Sequence, residues 1–248
     1  MSYYRQPPYR VYGSGASFGL PSVTPVVRAL MIACGGIWLL QFLFEVVLGR
    51  GDPSWYFGIV PPLVVHAGFP FFWQPFTYMF LHSTGNLLHL LFNMLILYMV
   101  GSDLERHWGG KRFLTYYLVC GVGAGLFVIV SGLLAGTNAP TIGASGAIYG
   151  LLLAFGMIFS ERVVLFMLLF PMRARTLCWI LFGIAFVSTW DQRAGGVSHV
   201  AHLGGMVVGY LYLKRAWRLG DFYREIRWRI RRRKFRVMPP GDEDRWVH

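Results

Sequence analysis

The chain has 248 residues, of which 55% are hydrophobic and 14% are charged, and its mean hydropathy is +0.49. A soluble globular domain carries roughly 25% charged residues, so this composition excludes an ordinary soluble domain and indicates a membrane protein. Residues 113–160 are 48 positions without a single Asp, Glu, Lys or Arg, which is enough for two transmembrane helices of about 20 residues each.

In chain order, residues 1–25 are rich in Tyr, Pro, Gly and Ser and lack the apolar core of a signal peptide, so they predict a flexible N-terminal arm. Six apolar segments follow, and each predicts a transmembrane helix. The segments are residues 26–48, 87–101, 113–134, 145–160, 176–190 and 199–213. We therefore expect an all-α polytopic membrane protein whose core, residues 26–213, is a bundle of six transmembrane helices.

One further apolar stretch, residues 163–170, lies between the fourth and fifth segments and ends at Pro171. Arg162 and Arg173 bracket it on either side. It predicts either an extended end of the fourth helix or a segment that lies at the membrane interface.

The basic residues favour one orientation of the chain. If the N-terminus is inside, 21 of the 23 Lys and Arg residues fall in inside segments, and cytoplasmic loops of membrane proteins carry such an excess. This bias predicts a multi-pass integral membrane protein with both termini in the cytoplasm. We expect its location to be the inner membrane of a bacterium.

Most of the net charge of +12 comes from the C-terminal tail, residues 214–248. Aromatic and aliphatic residues alternate there with basic ones, which suits attachment to anionic lipid head groups at about 1 kcal/mol per basic residue. A long topology signal explains the same tail equally well. Neither interpretation predicts a nucleic-acid partner.

Polar residues stand in three of the apolar segments, where such side chains are costly and usually face the bundle interior. They are Asn86, His89 and Asn93 at positions i, i+3 and i+7 of the second segment, Ser145 and Tyr149 in the fourth, and His199 and His202 in the sixth. With the N-terminus inside, each lies within roughly 15 Å of the outer end of its helix, at 1.5 Å per residue. These side chains therefore share one depth in the membrane.

Small residues provide for close packing at this depth. Gly146 and Gly150 follow Ser145, and Gly205 and Gly209 follow the two histidines, each pair with the GxxxG spacing. Glycine at this spacing lets two helix backbones approach closely. The pattern predicts that the fourth and sixth helices touch and bring Ser145 against a histidine.

A serine against a histidine is suited to nucleophilic catalysis, because the imidazole takes the hydroxyl proton near neutral pH. An imidazole N–H, the Asn93 amide and backbone N–H groups at a helix start would stabilise the oxyanion.

The soluble esterase pattern G-x-S-x-G does not fit, since residues 143–146 read G-x-S-G without a preceding strand. His199 and His202 lack the HExxH glutamate of a metalloprotease, so we expect no metal and no other cofactor.

The motifs in this order resemble the rhomboid family of intramembrane serine proteases over about residues 73–212. GASG, residues 143–146, resembles the nucleophile motif, and AHLGGMVVG, residues 201–209, resembles the histidine segment, which implies His202 and not His199 as the base. HLLFN resembles the segment that supplies the oxyanion hole, which implies His89 and Asn93. Tyr149 resembles the tyrosine that packs on the catalytic imidazole, and Gly143 and Tyr149 are expected to bind substrate.

The resemblance implies a Ser-His dyad that cleaves transmembrane proteins near the outer side of the bilayer. The alternative is a non-catalytic relative that binds transmembrane helices without cutting them.

Glu105 resembles the acidic residue that follows the second helix. In the first outer loop, Trp73-Gln74 replaces the Trp-Arg of many members, and the spacing from His82 to His89 is longer than usual, so His82 receives no role. Asp191 is disfavoured as a third catalytic member because exposed loop carboxylates are common.

Overall fold

The computed structural model describes residues 22–65, 71–166, 170–188 and 199–215. The predictions for nearly all of the N-terminal arm, for Asp191 and for nearly all of the basic tail lie outside these residues.

Helices make up most of this part of the chain. They are α1 (Pro25–Phe42), which continues as a π-helical turn (Leu43–Val47), the short helices α2 (Ser54–Phe57), α3 (Pro61–Val65) and α4 (Gln74–Thr77), α5 (Leu87–Ile96), α6 (Ser102–Trp108), α7 (Gly110–Ala135), α8 (Ser145–Ile158), α9 (Ala174–Ser188) and α10, residues 199–215. A 3₁₀ turn (Tyr78–Phe80) follows α4, and a π-helical turn (Leu97–Gly101) joins α5 to α6. Helix is therefore present at each of the six predicted places.

Three of the helical stretches are long and apolar enough to cross a membrane: Pro25–Val47, Leu87–Trp108 and Gly110–Ala135. This supports an integral membrane protein. The helices at the other three places are shorter, so the count of six spans stays a prediction.

The prediction of an all-helical chain is wrong between α8 and α9. An antiparallel hairpin of β1 (Val163–Phe166) and β2 (Phe170–Arg173) pairs Val163 with Arg173 and Phe166 with Phe170, so this stretch does not extend the fourth helix. β-Branched residues favour a strand, and Pro171 has no N–H to continue a helix. The Ala174 N–H donates to the Arg162 carbonyl at 2.8 Å and closes the base of the hairpin.

The helix α8 lies at the centre of the bundle. Nine of its 14 residues are buried, whereas a helix that faces lipid or water on one side buries only a stripe. Its small residues fit this position: a Cβ on Gly156 would lie 2.7 Å from the Cβ of Cys178 in α9, and one on Gly146 would lie 2.6 Å from the Cβ of Ala124 in α7. The surrounding helices therefore pack directly against the α8 backbone.

A carboxylate from α6 completes the start of α1. Glu105 is buried, and its Oε1 and Oε2 accept the backbone N–H groups of Val26 and Val27 at 3.0 and 2.9 Å. Thr24 donates its hydroxyl to the same carboxylate. The first N–H groups of a helix have no partner within the helix, and a negative charge there also suits the helix dipole. Glu105 thus joins the start of α1 to α6.

Candidate active site

The first residue of α8, Ser145, lies against α10. Its Oγ is 2.9 Å from Nε2 of His202, and the pair is half-buried. Tyr149, one turn further along α8, stacks its ring on the His202 imidazole with centroids 4.1 Å apart and planes 4° from parallel. Two residues of one helix therefore fix both the position and the plane of the histidine ring.

Glycine allows this approach. A Cβ on Gly205 would lie 1.9 Å from the carbonyl oxygen of Gly146, and a Cβ on Gly150 would lie 3.2 Å from the carbonyl oxygen of Gly205. The backbones of α8 and α10 are thus in direct contact, as the glycine spacing predicted. Any side chain at Gly205 would move His202, three residues earlier, away from the serine.

The two histidines of α10 occupy different places. His199 stands nearly perpendicular to His202, with ring centroids 5.6 Å apart at 82°, while His202 makes the contact with Ser145. The Nδ1 atom of His202 is buried and has no hydrogen-bond partner within the described residues. In this part of the chain the arrangement is therefore a pair and not a triad.

Gly143 shapes the space in front of the serine. Its φ is +123°, a conformation that L residues with side chains rarely adopt, and its N–H donates to the Tyr78 carbonyl at 2.9 Å. A Cβ at this position would lie 2.9 Å from Nε2 of His89 and 3.9 Å from Oγ of Ser145. The absent side chain leaves room between the His89 ring and the serine hydroxyl.

His89 is oriented from the loop that precedes α5. The backbone N–H of Ser83 points at Nδ1 of His89 over a long 3.5 Å. Because Nδ1 is the acceptor, the proton of a neutral ring is on Nε2, the atom nearest the position of a Gly143 Cβ. His89 therefore presents an N–H donor toward the serine.

Asn93 and Asn86 do not share the environment that the helical spacing predicts. Asn93 is buried, and its Nδ2 donates to the His89 carbonyl at 2.6 Å, which uses one of its two amide hydrogens. Asn86 is exposed at the N-cap of α5 with extended φ and ψ of −138° and 90°. The prediction that Asn86 belongs to the same polar face is wrong, because it lies outside the helix.

The first loop is anchored without a charge. Gln74 is fully buried; its Oε1 accepts the Val60 N–H at 3.0 Å, and its Nε2 donates to the carbonyls of Trp55 and Tyr56 at 3.2 and 3.3 Å. Trp73 donates its indole N–H to the Tyr56 carbonyl at 2.9 Å. A neutral amide therefore holds the loop at the position where many members of the family that the sequence resembles carry Arg.

His82, for which no role was predicted, is fully buried beside His89, with ring centroids 5.2 Å apart. Burial, helped by the proximity of His89, lowers the pKa of His82 to about 4. His82 is therefore neutral near pH 7 and packs against the donor histidine without adding charge to it. A second histidine just before the HLLFN segment was the available signal.

Comparison with known proteins identifies a family whose matched region contains the same residues. A family model described as the Rhomboid domain matches residues 71–218, more than half of the chain. The chain is 31% identical over 194 residues to Rhomboid-like protein 11, chloroplastic, of Arabidopsis thaliana, covering 75% of this chain and 62% of the relative. Rhomboid protease AarA of Providencia stuartii is 30% identical over 148 residues, covering 54% and 52%.

Rhomboid protease GluP of Bacillus subtilis is 28% identical over 194 residues, covering 77% of this chain and 34% of the relative. The chain thus spans between about a third and two thirds of the length of these three relatives. The matched region contains Ser145, His202, His89 and Gly143.

Proposed function

The chain belongs to the rhomboid family, and on that premise we propose that it is an intramembrane serine protease that cleaves transmembrane proteins. The family includes serine proteases of this kind. The observation that carries the proposal is the 2.9 Å contact between Ser145 Oγ and His202 Nε2. A serine hydroxyl becomes nucleophilic when a neighbouring base accepts its proton.

In the proposed reaction, Ser145 Oγ attacks the carbonyl carbon of the scissile peptide bond while His202 Nε2 accepts the hydroxyl proton. The tetrahedral intermediate collapses as the protonated His202 gives this proton to the leaving nitrogen, and the C–N bond breaks. Water then attacks the acyl-enzyme with His202 again as base, which releases the new carboxyl end and restores the serine. Tyr149 keeps the imidazole plane fixed through these proton transfers by stacking on it.

We assign the oxyanion contacts to the His89 Nε2–H, the Asn93 amide and the backbone N–H groups at the start of α8. The His89 assignment is supported by the short approach of Nε2 to the Gly143 position, and the backbone donors are unpaired within the helix. Gly143 and Tyr149 then border the space that a substrate backbone would occupy. Removing one such donor costs on the order of 10² to 10³ in turnover, or roughly 2.7 to 4 kcal/mol.

Purified protein and a type I model membrane substrate test the dyad. Ser145→Ala and His202→Ala should each abolish cleavage while thermal unfolding in detergent stays close to wild type, and His199→Ala should retain far more activity than His202→Ala. Cleavage by Ser145→Ala would end the protease proposal. A wild-type protein that binds the substrate without cutting it, as well as Ser145→Ala does, would support the non-catalytic alternative.

The oxyanion assignment has its own test. His89→Ala and Asn93→Ala should lower kcat with KM moving less, since these contacts strengthen only as charge develops. Asn86→Ala is the matched control, because Asn86 is exposed and makes no capping hydrogen bond through its side chain. Equal losses in Asn86→Ala and Asn93→Ala would show that the polar residues of α5 are structural.

For the orientation, we propose that both termini are cytoplasmic and that the active site lies toward the outer side, on the strength of the 21 basic residues in inside segments. Protease added outside intact cells should then leave N- and C-terminal tags uncut.

Relatives named as chloroplastic and mitochondrial match alongside bacterial ones, so the comparisons do not favour a bacterial inner membrane. Deletion of residues 224–248 should leave catalysis in detergent intact and weaken binding to anionic vesicles; unchanged vesicle binding would leave the tail as a topology signal.

A further inference from the structure

An apolar groove of about 480 Å³ separates α1 from the first loop; we call it the α1–loop groove. Leu40, Gln41 and Phe44 line it from α1, and Phe57, Thr77 and Phe80 line it from the loop. The proposed catalytic residues are not part of its walls.

The two polar side chains in the walls are engaged with the protein. Gln41 Oε1 accepts the His82 N–H at 3.1 Å, and the Thr77 hydroxyl donates to the Phe57 carbonyl at 2.6 Å. A ligand in the groove therefore meets mainly carbon atoms. Hydrocarbon is the ligand chemistry that such walls select, since an unpaired polar group would be costly there.

The walls are held in place by three hydrogen bonds between successive turns of α1 and three consecutive loop residues. They are Trp38 Nε1–H to the Ser83 carbonyl at 3.0 Å, the His82 N–H to Gln41 Oε1 at 3.1 Å, and the Thr84 hydroxyl to Glu45 Oε2 at 2.8 Å. These bonds hold α1 and its π-helical turn at a fixed position relative to residues 82–84 of the loop. The groove is therefore a fixed part of the fold, and its lining side chains gain dispersion contacts when a ligand occupies it.

The position of α1 identifies what fills the groove. Its residues belong to the stretch Pro25–Val47 that is long and apolar enough to cross a membrane, and the lining residues Leu40 and Phe44 are 66% and 47% exposed. The groove therefore opens toward lipid. A helix about 10 Å across takes up roughly 420 Å³ per turn, so a groove of about 480 Å³ holds little more than one of the roughly five turns of a transmembrane helix, whereas it accepts a narrower acyl chain.

A cation stands near the same end of α1. Arg50 is exposed, and it lies three residues before Pro53, which also lines the groove. Its backbone N–H donates to the carbonyl of Phe44 at 3.1 Å, within a turn whose flanking Gly49 and Gly51 have φ of +61° and +88°. No other Lys or Arg occurs between residues 28 and 106, and guanidinium groups pair well with phosphate.

We propose that the α1–loop groove is a phospholipid site, in which an acyl chain lies between α1 and the loop and Arg50 binds the phosphate. The Thr84 hydroxyl donates to Glu45 and joins this end of α1 to the residues just before α5. His89 of α5 lies beside Gly143 in front of Ser145, so the lipid belongs to the monolayer on the side of the membrane where Ser145 lies. Lipid binding does not depend on the proposed protease activity, so the lipid-site proposal and the protease proposal can fail independently.

The probe is phosphatidylcholine with a diazirine near the end of one acyl chain, titrated into delipidated full-length protein in maltoside detergent. We expect saturable photolabelling of Leu40, Phe44, Phe57 and Phe80, at least fivefold above Leu39. Leu40→Trp should fill the groove and reduce its labelling at least fivefold, whereas Leu39→Trp should not; Leu39 is 51% exposed on the same helix and does not line the groove. Phe44→Trp is a second groove-filling variant if Leu40→Trp fails to fold.

Arg50→Gln should raise the half-saturating phosphatidylcholine concentration about tenfold, and a diazirine fatty alcohol without phosphate should show no difference between wild type and this variant. Labelling that never saturates, that is equal at Leu39 and Leu40, or that survives both groove-filling substitutions would overturn the site and leave only general lipid contact. Saturable labelling that is insensitive to Arg50→Gln would overturn the assignment of the phosphate.

Discussion

Replacing Gly205 by alanine adds one methyl group at the point where α8 and α10 touch. The new Cβ would lie 1.9 Å from the carbonyl oxygen of Gly146, whereas atoms that are not bonded are at rest at about 3.5 Å. Both partners are helix backbone, so no side-chain rotation relieves the overlap. The helices must therefore separate by roughly 1.6 Å at this contact.

The separation acts on the Ser145–His202 pair because His202 lies one turn before Gly205 on the same helix. A hydrogen bond of 2.9 Å lengthened by that amount becomes roughly 4.5 Å, beyond the range in which a proton is shared. General base catalysis contributes about 10² to 10⁴ in rate, and a misplacement of about 1 Å alone costs about 10². We expect kcat of Gly205→Ala to fall by about 10² to 10⁴, with about 1 to 3 kcal/mol lost from the free energy of unfolding by overpacking.

The assay is cleavage of a model transmembrane substrate in detergent, with thermal unfolding of each variant measured in parallel. Gly36→Ala, in the apolar helix α1, is the matched control, because no neighbouring atom of the described residues lies within 4 Å of a Cβ at that position. It should keep kcat within a few-fold of wild type. Cleavage by a folded Gly205→Ala protein within threefold of wild type would refute the reasoning from backbone contact to catalysis.

Substitutions at three further positions test the ring that stacks on His202, the anchoring of the first loop and the buried His82. Tyr149→Phe keeps the ring that stacks on His202 and should retain most of kcat, whereas Tyr149→Leu should lose at least tenfold; equal kinetics of the two variants would argue against stacking. Gln74→Leu removes the side-chain partner of the Val60 N–H and of the Trp55 carbonyl, while the Tyr56 carbonyl keeps the Trp73 indole N–H. Thermal or chemical unfolding should show a loss of about 1 to 3 kcal/mol; an unchanged midpoint would contradict this. Because burial and the proximity of His89 hold the pKa of His82 near 4 against the usual 6.5, the unfolded chain binds a proton in that window that the folded protein does not. The free energy of unfolding should therefore fall as pH drops from 6.5 to 4, by up to about 3 kcal/mol. His82→Phe should flatten this dependence, and an equally steep curve for the variant would contradict its assignment to His82.

The contact between Ser145 and a histidine of the sixth segment could be predicted because helical spacing and glycine carry the information within single segments, whereas the choice of His202 came from the resemblance to the rhomboid family. Gly146 and Gly205 are small residues in otherwise apolar helices, and that pattern has few explanations other than close packing. Helix positions were predictable for the same reason, since a run of apolar residues bounded by turn signals fixes its own secondary structure.

Features that depend on contacts distant in sequence were not predictable. Gln74 holds the loop through backbone groups of Trp55 and Val60, and nothing in the local sequence reveals these partners. The helical spacing of Asn86 was misleading because the helix begins one residue later, at Leu87. The hairpin at residues 163–173 has an uninterrupted apolar sequence in its first strand, and such short runs suit either helix or strand.

The cap that Glu105 places on α1 has a consequence for the order in which the protein is made. Val27 and Glu105 are 78 residues apart, so at about 5 to 20 residues per second the carboxylate is synthesised about 4 to 16 s after the helix start that it completes. During that interval the first N–H groups of α1 must stay in contact with water or lipid head groups. The start of α1 therefore acquires these hydrogen bonds only after α6 has been synthesised, so the two helices complete this part of the fold together.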